Sequence, residues 1–393
     1  MNTRWSVRWA ALGLAATATL SLTACGGGVT NTGGNPESSA SGPVKIGLIA
    51  PFSGSENMYG NYMKNGAQLA VNELNAAGGV LGRQVELLTA DDACDPTQAA
   101  SAAQKLVTDG VVVSVGGYCS GSTLPTLQIF NAAGIPMIIP VANSDNLVKQ
   151  GLPNVFLLDG TGTQQAEAAV RWVQKNKYAK LAVIDDKTDY SANLAARFKE
   201  QAETAGFSVT ALSLVKGEKD FSAQVNGIKS ANADFYYFTG YAQEAGLLAK
   251  QAVEAGYKGA ILLGDGSVDA LVAKVAGQDI AKNIYATFTM TPDMLNDGGA
   301  FAAAYEKLAG SQPGPYTIHS YDAVKVWAEA ATKAGGFGMD AIDQALGQLK
   351  TTGLTGPIAF NADGSRSSGQ QALFVIVKVS DDGTFKLADR LEG

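Results

Sequence analysis

From Pro43 onward, short apolar runs alternate with segments whose apolar positions recur every three to four residues. Lys45 to Pro51 reads as a strand, Tyr59 to Ala77 as an amphipathic helix ending at Gly78-Gly79, and Gln84 to Ala90 as the next strand. The pattern continues with a helix over Pro96 to Asp109, a strand over Val111 to Val115, a helix over Ser122 to Ala133 and a strand over Ile135 to Pro140. Strands that are apolar throughout, separated by helices of ten to twenty residues, indicate parallel sheets covered on both faces. The chain is therefore expected to be α/β.

After Val155 to Leu158 the series restarts with helices over Thr163 to Asn176, Ser191 to Ala205, Phe221 to Ser230 and Ala242 to Ala255. Between and after them come strands over Lys180 to Asp185, Phe207 to Leu214, Phe235 to Thr239 and Ala260 to Leu263. Two such series suggest two lobes. The tail reads as helices around Phe301 to Leu308, His319 to Lys333 and Ala341 to Leu349, then strands over Pro357 to Phe360 and Leu373 to Val379. A tail of this kind can complete both lobes if the chain crosses back between them.

The amino terminus follows a different pattern. Arg4 and Arg8 precede an apolar run from Ala10 to Leu22, followed by Thr23-Ala24-Cys25. That run of 13 residues rises only about 20 Å as a helix, too short for a hydrocarbon core of ~30 Å, so residues 1–24 read as an export signal. The small residues before Cys25 resemble the lipobox of bacterial lipoproteins, in which the cysteine is acylated and becomes the first residue. An unmodified export signal cut near the same place is the alternative. Residues 25–42, rich in Gly, Ser, Thr, Asn and Pro, cannot bury a core and read as a flexible tether.

Composition then excludes several classes of function. At 46% hydrophobic residues over 393 positions the chain has material for roughly two domains. The net charge is −7; removing Arg4 and Arg8 with the signal leaves 27 basic against 36 acidic residues, or −9. Nucleic acid is not expected as a partner, because phosphate binding needs clustered Lys and Arg. One histidine, His319, and no Cys-x-x-Cys pair leave no ordinary zinc site and no metal is expected. Cys94 and Cys119 remain once Cys25 is assigned to the anchor, and in an exported protein they most simply form a disulfide; a reactive thiol is the alternative.

No phosphate or dinucleotide cradle is present, since neither Gly160-x-Gly162 nor Gly264-x-Gly266 continues as G-x-G-x-x-G. Gly117-Tyr118-Cys119-Ser120-Gly121 has the wrong spacing for a nucleophile elbow. Ser213-Leu214-Val215-Lys216 matches S-x-x-K but falls on an expected strand without companion motifs, so it reads as chance. His319 reads as an ordinary polar helix residue. No catalytic residue and no cofactor are expected.

In α/β sheets, ligands bind beyond the carboxyl ends of the strands, where helix N-termini offer free N–H groups. The polar residues at those ends are Ser53 and Tyr59, Ser120, Asn143, Tyr190, Tyr241 and Asp265. Taken singly, each is as well explained as a turn or cap residue. Together they suit a small zwitterion, with helix N–H groups for its carboxylate and Asp265 for its ammonium.

At these residues the chain resembles the type I periplasmic binding proteins of branched-chain amino acid ABC transporters, the leucine/isoleucine/valine-binding family. The resemblance rests on Asp91-Asp92-Ala93-Cys94-Asp95-Pro96, Cys119-Ser120-Gly121-Ser122-Thr123, Gly134-Ile135-Pro136-Met137-Ile138, Gly217-Glu218-Lys219-Asp220-Phe221 and Gly240-Tyr241. It implies a Cys94–Cys119 pair and two lobes joined by three hinge crossings near Gly160, Thr287 and Pro357. The lobes would be 43–160 with 288–357, and 161–287 with 358–393. By the same resemblance Ser120 would bind the ligand carboxylate, Val141 would offer a carbonyl to the ammonium, and Ala142 would lie beside it. Asn143 would touch the head group and Asp265 would face the ammonium. Tyr59, Tyr190 and Tyr241 would wall the pocket, with Tyr118 and Tyr316 near the ligand side chain. Asn143 stands where a threonine is usual, Asp265 where a glutamate is, and Tyr118 where a leucine is, which bears on side-chain preference.

The implied function is that of a lipid-anchored, extracytoplasmic, monomeric receptor. It would close on an amino acid, aliphatic or broad in range, and deliver it to an ABC permease with its cytoplasmic ATPase. A sensory or regulatory module of the same fold, reading an amide, urea or another small polar solute, is the alternative of a different class, and an α/β hydrolase or dehydrogenase is a third.

Overall fold

The apolar runs become the strands of two sheets in the computed structural model, which describes residues 42–295, 298–369 and 373–391. The export signal, Cys25 and the tether through Ser41 lie outside the described residues. In the first sheet β1 (Val44–Ala50) pairs in parallel with β2 (Val85–Asp91), and β3 (Met137–Ile139) with β4 (Val155–Leu157). The segment 111–115 joins the two pairs through Ser114, which bridges in parallel to Gly47 on one side and to Met137 on the other. The expected strand at Val111 to Val115 is therefore reduced to a bridge, although Val112 and Val115 donate backbone N–H groups to the carbonyls of Lys45 and Gly47.

The second sheet takes in β5 (Lys180–Asp185), β6 (Ser208–Ser213), β7 (Phe235–Phe238), β8 (Ala260–Leu263) and β9 (Ile284–Phe288), paired in parallel. A hairpin of β10 (Thr351–Gly353) and β11 (Gly356–Ile358) intervenes in the chain. Two antiparallel strands, β12 (Val375–Val379) and β13 (Phe385–Asp389), then finish the sheet beside β9, in the order 13-12-9-8-7-5-6. Sequence patterning missed β9 and β13. It also expected an open strand over Pro357 to Phe360, where the chain instead makes the local hairpin.

Both sheets reverse their strand order once: between β1 and Ser114 in the first, and between β5 and β7 in the second. Such reversals leave a crevice at the carboxyl ends of the strands, because the helices on either side lead away to opposite faces. Tyr59 and Tyr118 follow the first reversal in the chain, and Tyr190 and Tyr241 follow the second.

Local sequence explains the helices that position these residues. Asp95 caps the helix Pro96–Thr108 by accepting from the Gln98 N–H at 2.8 Å, as Asp-Pro predicts. Thr161 and Gln164 form a reciprocal capping box that starts the helix Gly162–Asn176. The helix Asn57–Ala76 lies against Thr317–Ala334 so closely that a Cβ on Gly66 would stand 2.1 Å from the Thr317 carbonyl oxygen. Only glycine permits that approach.

Cys94 and Cys119 form a disulfide with their Cα atoms 5.4 Å apart, so the reactive-thiol reading falls. The bond ties the loop after β2 to the start of the helix Ser120–Ala132. Residues 359–366, which sequence reasoning assigns to the second lobe, lie along β4 of the first sheet. The Leu157 N–H donates to the Gly364 carbonyl at 2.9 Å and the Phe360 ring meets Phe156 edge-on at 5.2 Å. Among the described residues no helix is long and apolar enough to cross a membrane.

Candidate ligand site between the two sheets

Asp265 opens a single 3-10 turn, Asp265–Ser267, directly after β8, so its carboxylate stands beyond the carboxyl end of a central parallel strand. It is buried, and its oxygens receive hydroxyls from opposite sides. Tyr190, from the helix Asp189–Thr204 after β5, donates to Oδ1 at 2.6 Å. Tyr316, at the start of the helix Thr317–Ala334, donates to Oδ2 at 2.9 Å, and the Asn143 amide reaches the same oxygen at 3.4 Å. A Cβ on Gly264 or Gly266 would lie within 2.5 Å or 2.9 Å of the Tyr190 side chain. That glycine pair therefore clears space for a tyrosine rather than cradling a phosphate.

Burial pushes the Asp265 carboxyl above the usual carboxylate range, while hydrogen bonds from Tyr190 and Tyr316 pull it back. Asp159, also buried, is pushed well up by burial and then by the charge of Asp265. Among the described residues Asp265 takes part in no ion pair with Lys or Arg. A buried carboxylate supplied with hydrogen bonds but with no protein cation can hold a cation brought by a ligand.

The first sheet supplies the facing wall. Ser120 is the first residue of its helix; it is fully buried, and its Oγ accepts from the Ser144 N–H at 3.3 Å. Val141 and Ala142 are buried in the loop after β3 that carries Asn143. The Asn143 amide also donates to Gln165 Oε1 at 3.0 Å, and Gln165 donates in turn to the Thr287 hydroxyl at 2.8 Å. Four further tyrosine contacts complete the enclosure: the Tyr118 ring stacks on Tyr59 at 4.8 Å and meets Tyr316 at 5.8 Å and Tyr241 at 6.3 Å, and Tyr190 meets Tyr241 at 5.5 Å. The Tyr59 hydroxyl points to the Gly266 carbonyl at 3.5 Å and the Tyr241 hydroxyl to Cys119 Sγ at 3.3 Å. All ten residues singled out from the sequence are buried, and the contacts above join Asp265, Asn143 and the five tyrosines. Ser53, noted with them, lies at the surface, its N–H 3.3 Å from Asp91 Oδ1.

Sequence reasoning missed a second set. Lys216 Nζ lies 3.1 Å from Glu56 Oε1 and 3.7 Å from the Tyr241 ring centre, so an ion pair and a cation–π contact join the loop after β6 to the loop after β1. Glu244 holds the Lys216 loop by accepting from the Gly217 N–H at 2.9 Å. No spacing signal links Glu56 to Lys216, because the pair forms only when two sheets meet. Ser213 of the S-x-x-K match instead donates to Asp185 at 2.7 Å, in keeping with chance. His319 is not an ordinary polar helix residue: it is fully buried, its Nε2 is 3.1 Å from the Thr289 hydroxyl, and burial together with the Arg366 charge pushes it down to about 3. Arg366, itself buried, donates to the carbonyls of Leu158, Thr355 and Pro357 at 2.7, 2.8 and 2.9 Å.

Strand ends and helix starts from two α/β sheets, converging on one buried carboxylate, define a solute-binding protein of the two-lobed type. The model of the periplasmic binding protein family matches residues 43–384. The Leu/Ile/Val-binding protein BraC3 of Rhizobium johnstonii is 39% identical over 74% of this chain and 80% of its own length. The leucine-binding protein LivK of Thermotoga maritima superposes with a TM-score of 0.80 at 27% identity, over 88% of this chain and 97% of that one. LivJ of Streptococcus pneumoniae, a branched-chain amino acid transporter substrate-binding protein solved with isoleucine, gives 0.77 at 29% identity over 88% and 99%. The chain belongs to the periplasmic binding protein family, within its leucine/isoleucine/valine-binding branch.

Proposed function

We propose that this chain is the extracytoplasmic receptor of an ABC importer, binding an α-amino acid between its lobes and passing it unchanged to a permease served by a cytoplasmic ATPase. The observation that carries this reading is Asp265, a buried carboxylate hydrogen-bonded from both sides yet, among the described residues, without a protein cation. An amino-acid ammonium supplies that charge. The amino terminus of the helix Ser120–Ala132 offers N–H groups and the positive end of the helix dipole to the carboxylate, with the Ser120 hydroxyl beside it. Val141, Ala142 and Asn143 complete the head-group wall, and the tyrosines receive the side chain. Relatives named for leucine, isoleucine and valine support an aliphatic or broad range.

Closure follows from ligand contacts on both sheets: a ligand that touches both stabilises the arrangement in which they meet. In this reading two hinge crossings lie near Gly160 and Thr287, and a third after Arg366 rather than near Pro357 is supported by residues 359–366 running with β4 and β12 lying in the second sheet. Cys25 anchors the protein through a lipid, residues 25–42 form the tether, and the receptor acts as a monomer. Isothermal titration against the L-amino acids, with acetamide and urea included, tests the substrate class. Saturable binding of one or more amino acids is expected. Heat from the amides alone favours a sensory module, and no heat from any of them rejects the reading.

A further inference from the structure

The five tyrosines of the site do not use their hydroxyls equally. Those of Tyr190 and Tyr316 are taken up by Asp265 at 2.6 and 2.9 Å. Tyr59 reaches the Gly266 carbonyl only at 3.5 Å, and Tyr241 is directed to a disulfide sulfur, a weak acceptor. Among the described residues the buried Tyr118 hydroxyl makes no hydrogen bond of normal length, and the stacked Tyr59 offers its own hydroxyl only as a weak, long-range partner. It is enclosed rather than placed at a rim, since the Tyr118 ring is flanked by Tyr59 at 4.8 Å and Tyr316 at 5.8 Å, the two residues that reach Gly266 and Asp265. Burial pushes the phenol well above its ordinary range, so it remains a neutral donor and acceptor.

A buried hydroxyl left without a partner is unfavourable, and a site with such a group discriminates strongly against ligands that cannot bond to it. Resting on the amino-acid reading above, we infer that Tyr118 is a specificity-determining residue that favours a ligand side chain bearing a hydroxyl or carboxamide over an aliphatic one of the same shape. The Tyr118 ring lies 5.8 Å from Tyr316, whose hydroxyl reaches Asp265, so a ligand with its ammonium at Asp265 would turn its first side-chain atoms toward this wall. A short polar group there can accept the Tyr118 proton, whereas a methyl group leaves the phenol dry and unbonded.

L-Threonine and L-valine are near-isosteres that differ by a hydroxyl for a methyl, so titrating both into the full chain isolates this effect. Threonine is expected to bind about tenfold tighter or more. In Tyr118→Phe, which removes only the hydroxyl, the ratio is expected to fall to within about threefold. Equal or tighter binding of valine by the native chain overturns the inference, as does a threonine advantage that persists in Tyr118→Phe. Binding of leucine with neither threonine nor valine bound overturns it too. Failure of every amino acid to bind strikes the head-group reading at Asp265 instead. If Tyr118→Phe does not fold, the native ratio alone decides.

Discussion

At the Asp265 end of the site both carboxylate oxygens are met by hydroxyls, Tyr190 from the second sheet at 2.6 Å and Tyr316, packed with the first, at 2.9 Å. At the Tyr118 end, aromatic rings meet at 4.8 to 6.3 Å, with one hydroxyl making no normal-length hydrogen bond among the described residues and another at 3.5 Å from its acceptor. The first end has fixed geometry and a charge; the second is large, apolar in body and polar only at its tips. Charge-assisted bonds held in place before the ligand arrives favour affinity, because little ordering remains to be done. Faces with loosely satisfied tips leave the choice of side chain open, so in the proposed reading affinity would come from the Asp265 end and selectivity from the Tyr118 end.

The largest expected effect falls at the fixed end. Asp265→Ala leaves a ligand ammonium buried without its partner, and its affinity for the tightest amino acid should fall by well over tenfold, toward the ~3 kcal/mol or more that stranding a buried charge costs. An unchanged dissociation constant in titration calorimetry would place the ammonium elsewhere. Next, the disulfide fixes the corner that carries Tyr118 and Ser120. Replacing both Cys94 and Cys119 by Ser opens a loop spanning 25 residues and should lower stability by about 3 kcal/mol, read as an earlier urea midpoint.

His319 sharpens the contrast from behind Tyr316, whose ring it meets at 5.9 Å. Burial, and then Arg366, holds its folded value near 3, whereas an unfolded histidine titrates near 6.5, so as pH falls the unfolded chain takes the proton first. The stability this neutral imidazole provides is complete above pH ~6.5 and is lost progressively toward pH 3, amounting to about 2 kcal/mol by pH ~5. Relative to the native chain, His319→Gln should lose less stability between pH 7 and pH 5; equal losses would mean that His319 does not titrate as described. The smallest effect is at the Glu56–Lys216 pair. Lys216→Met removes one charge from a largely covered ion pair with Glu56 and a contact with Tyr241, and should weaken ligand binding by about 1 kcal/mol, less at high salt if the pair is exposed during opening.

Much of this contrast was legible in the chain, and unevenly so. The strands Lys180–Asp185 and Ala260–Leu263 were found because each has an uninterrupted buried apolar centre, 181–184 in the first and 261–263 in the second, that marks its place in the chain. Ile284–Phe288 and Phe385–Asp389 were missed. The first is a short run in a loop-rich stretch, and the second is an edge strand whose alternate residues are exposed. The strand-end rule brought out Asp265, Asn143, Ser120, Tyr59, Tyr190 and Tyr241, since it depends only on chain order within each sheet, though it also brought out Ser53, which lies at the surface; Tyr118 and Tyr316 came only from the family resemblance. It could not supply the Glu56–Lys216 pair or the clasp of Arg366 on Leu158, Thr355 and Pro357, which join residues far apart in sequence. The same limit explains His319: a residue type that is usually solvated carried no local sign of its burial against Thr289.

The central claim is that Asp265 holds the free ammonium of an amino acid between the two sheets. Calorimetric titration of the native protein with its tightest-binding L-amino acid and with the N-acetyl derivative of that amino acid tests this most directly. The free amino acid should saturate one site while the acetylated form, which brings no cation and adds bulk against Asp265, shows no binding. Equal affinity for the two would contradict the account.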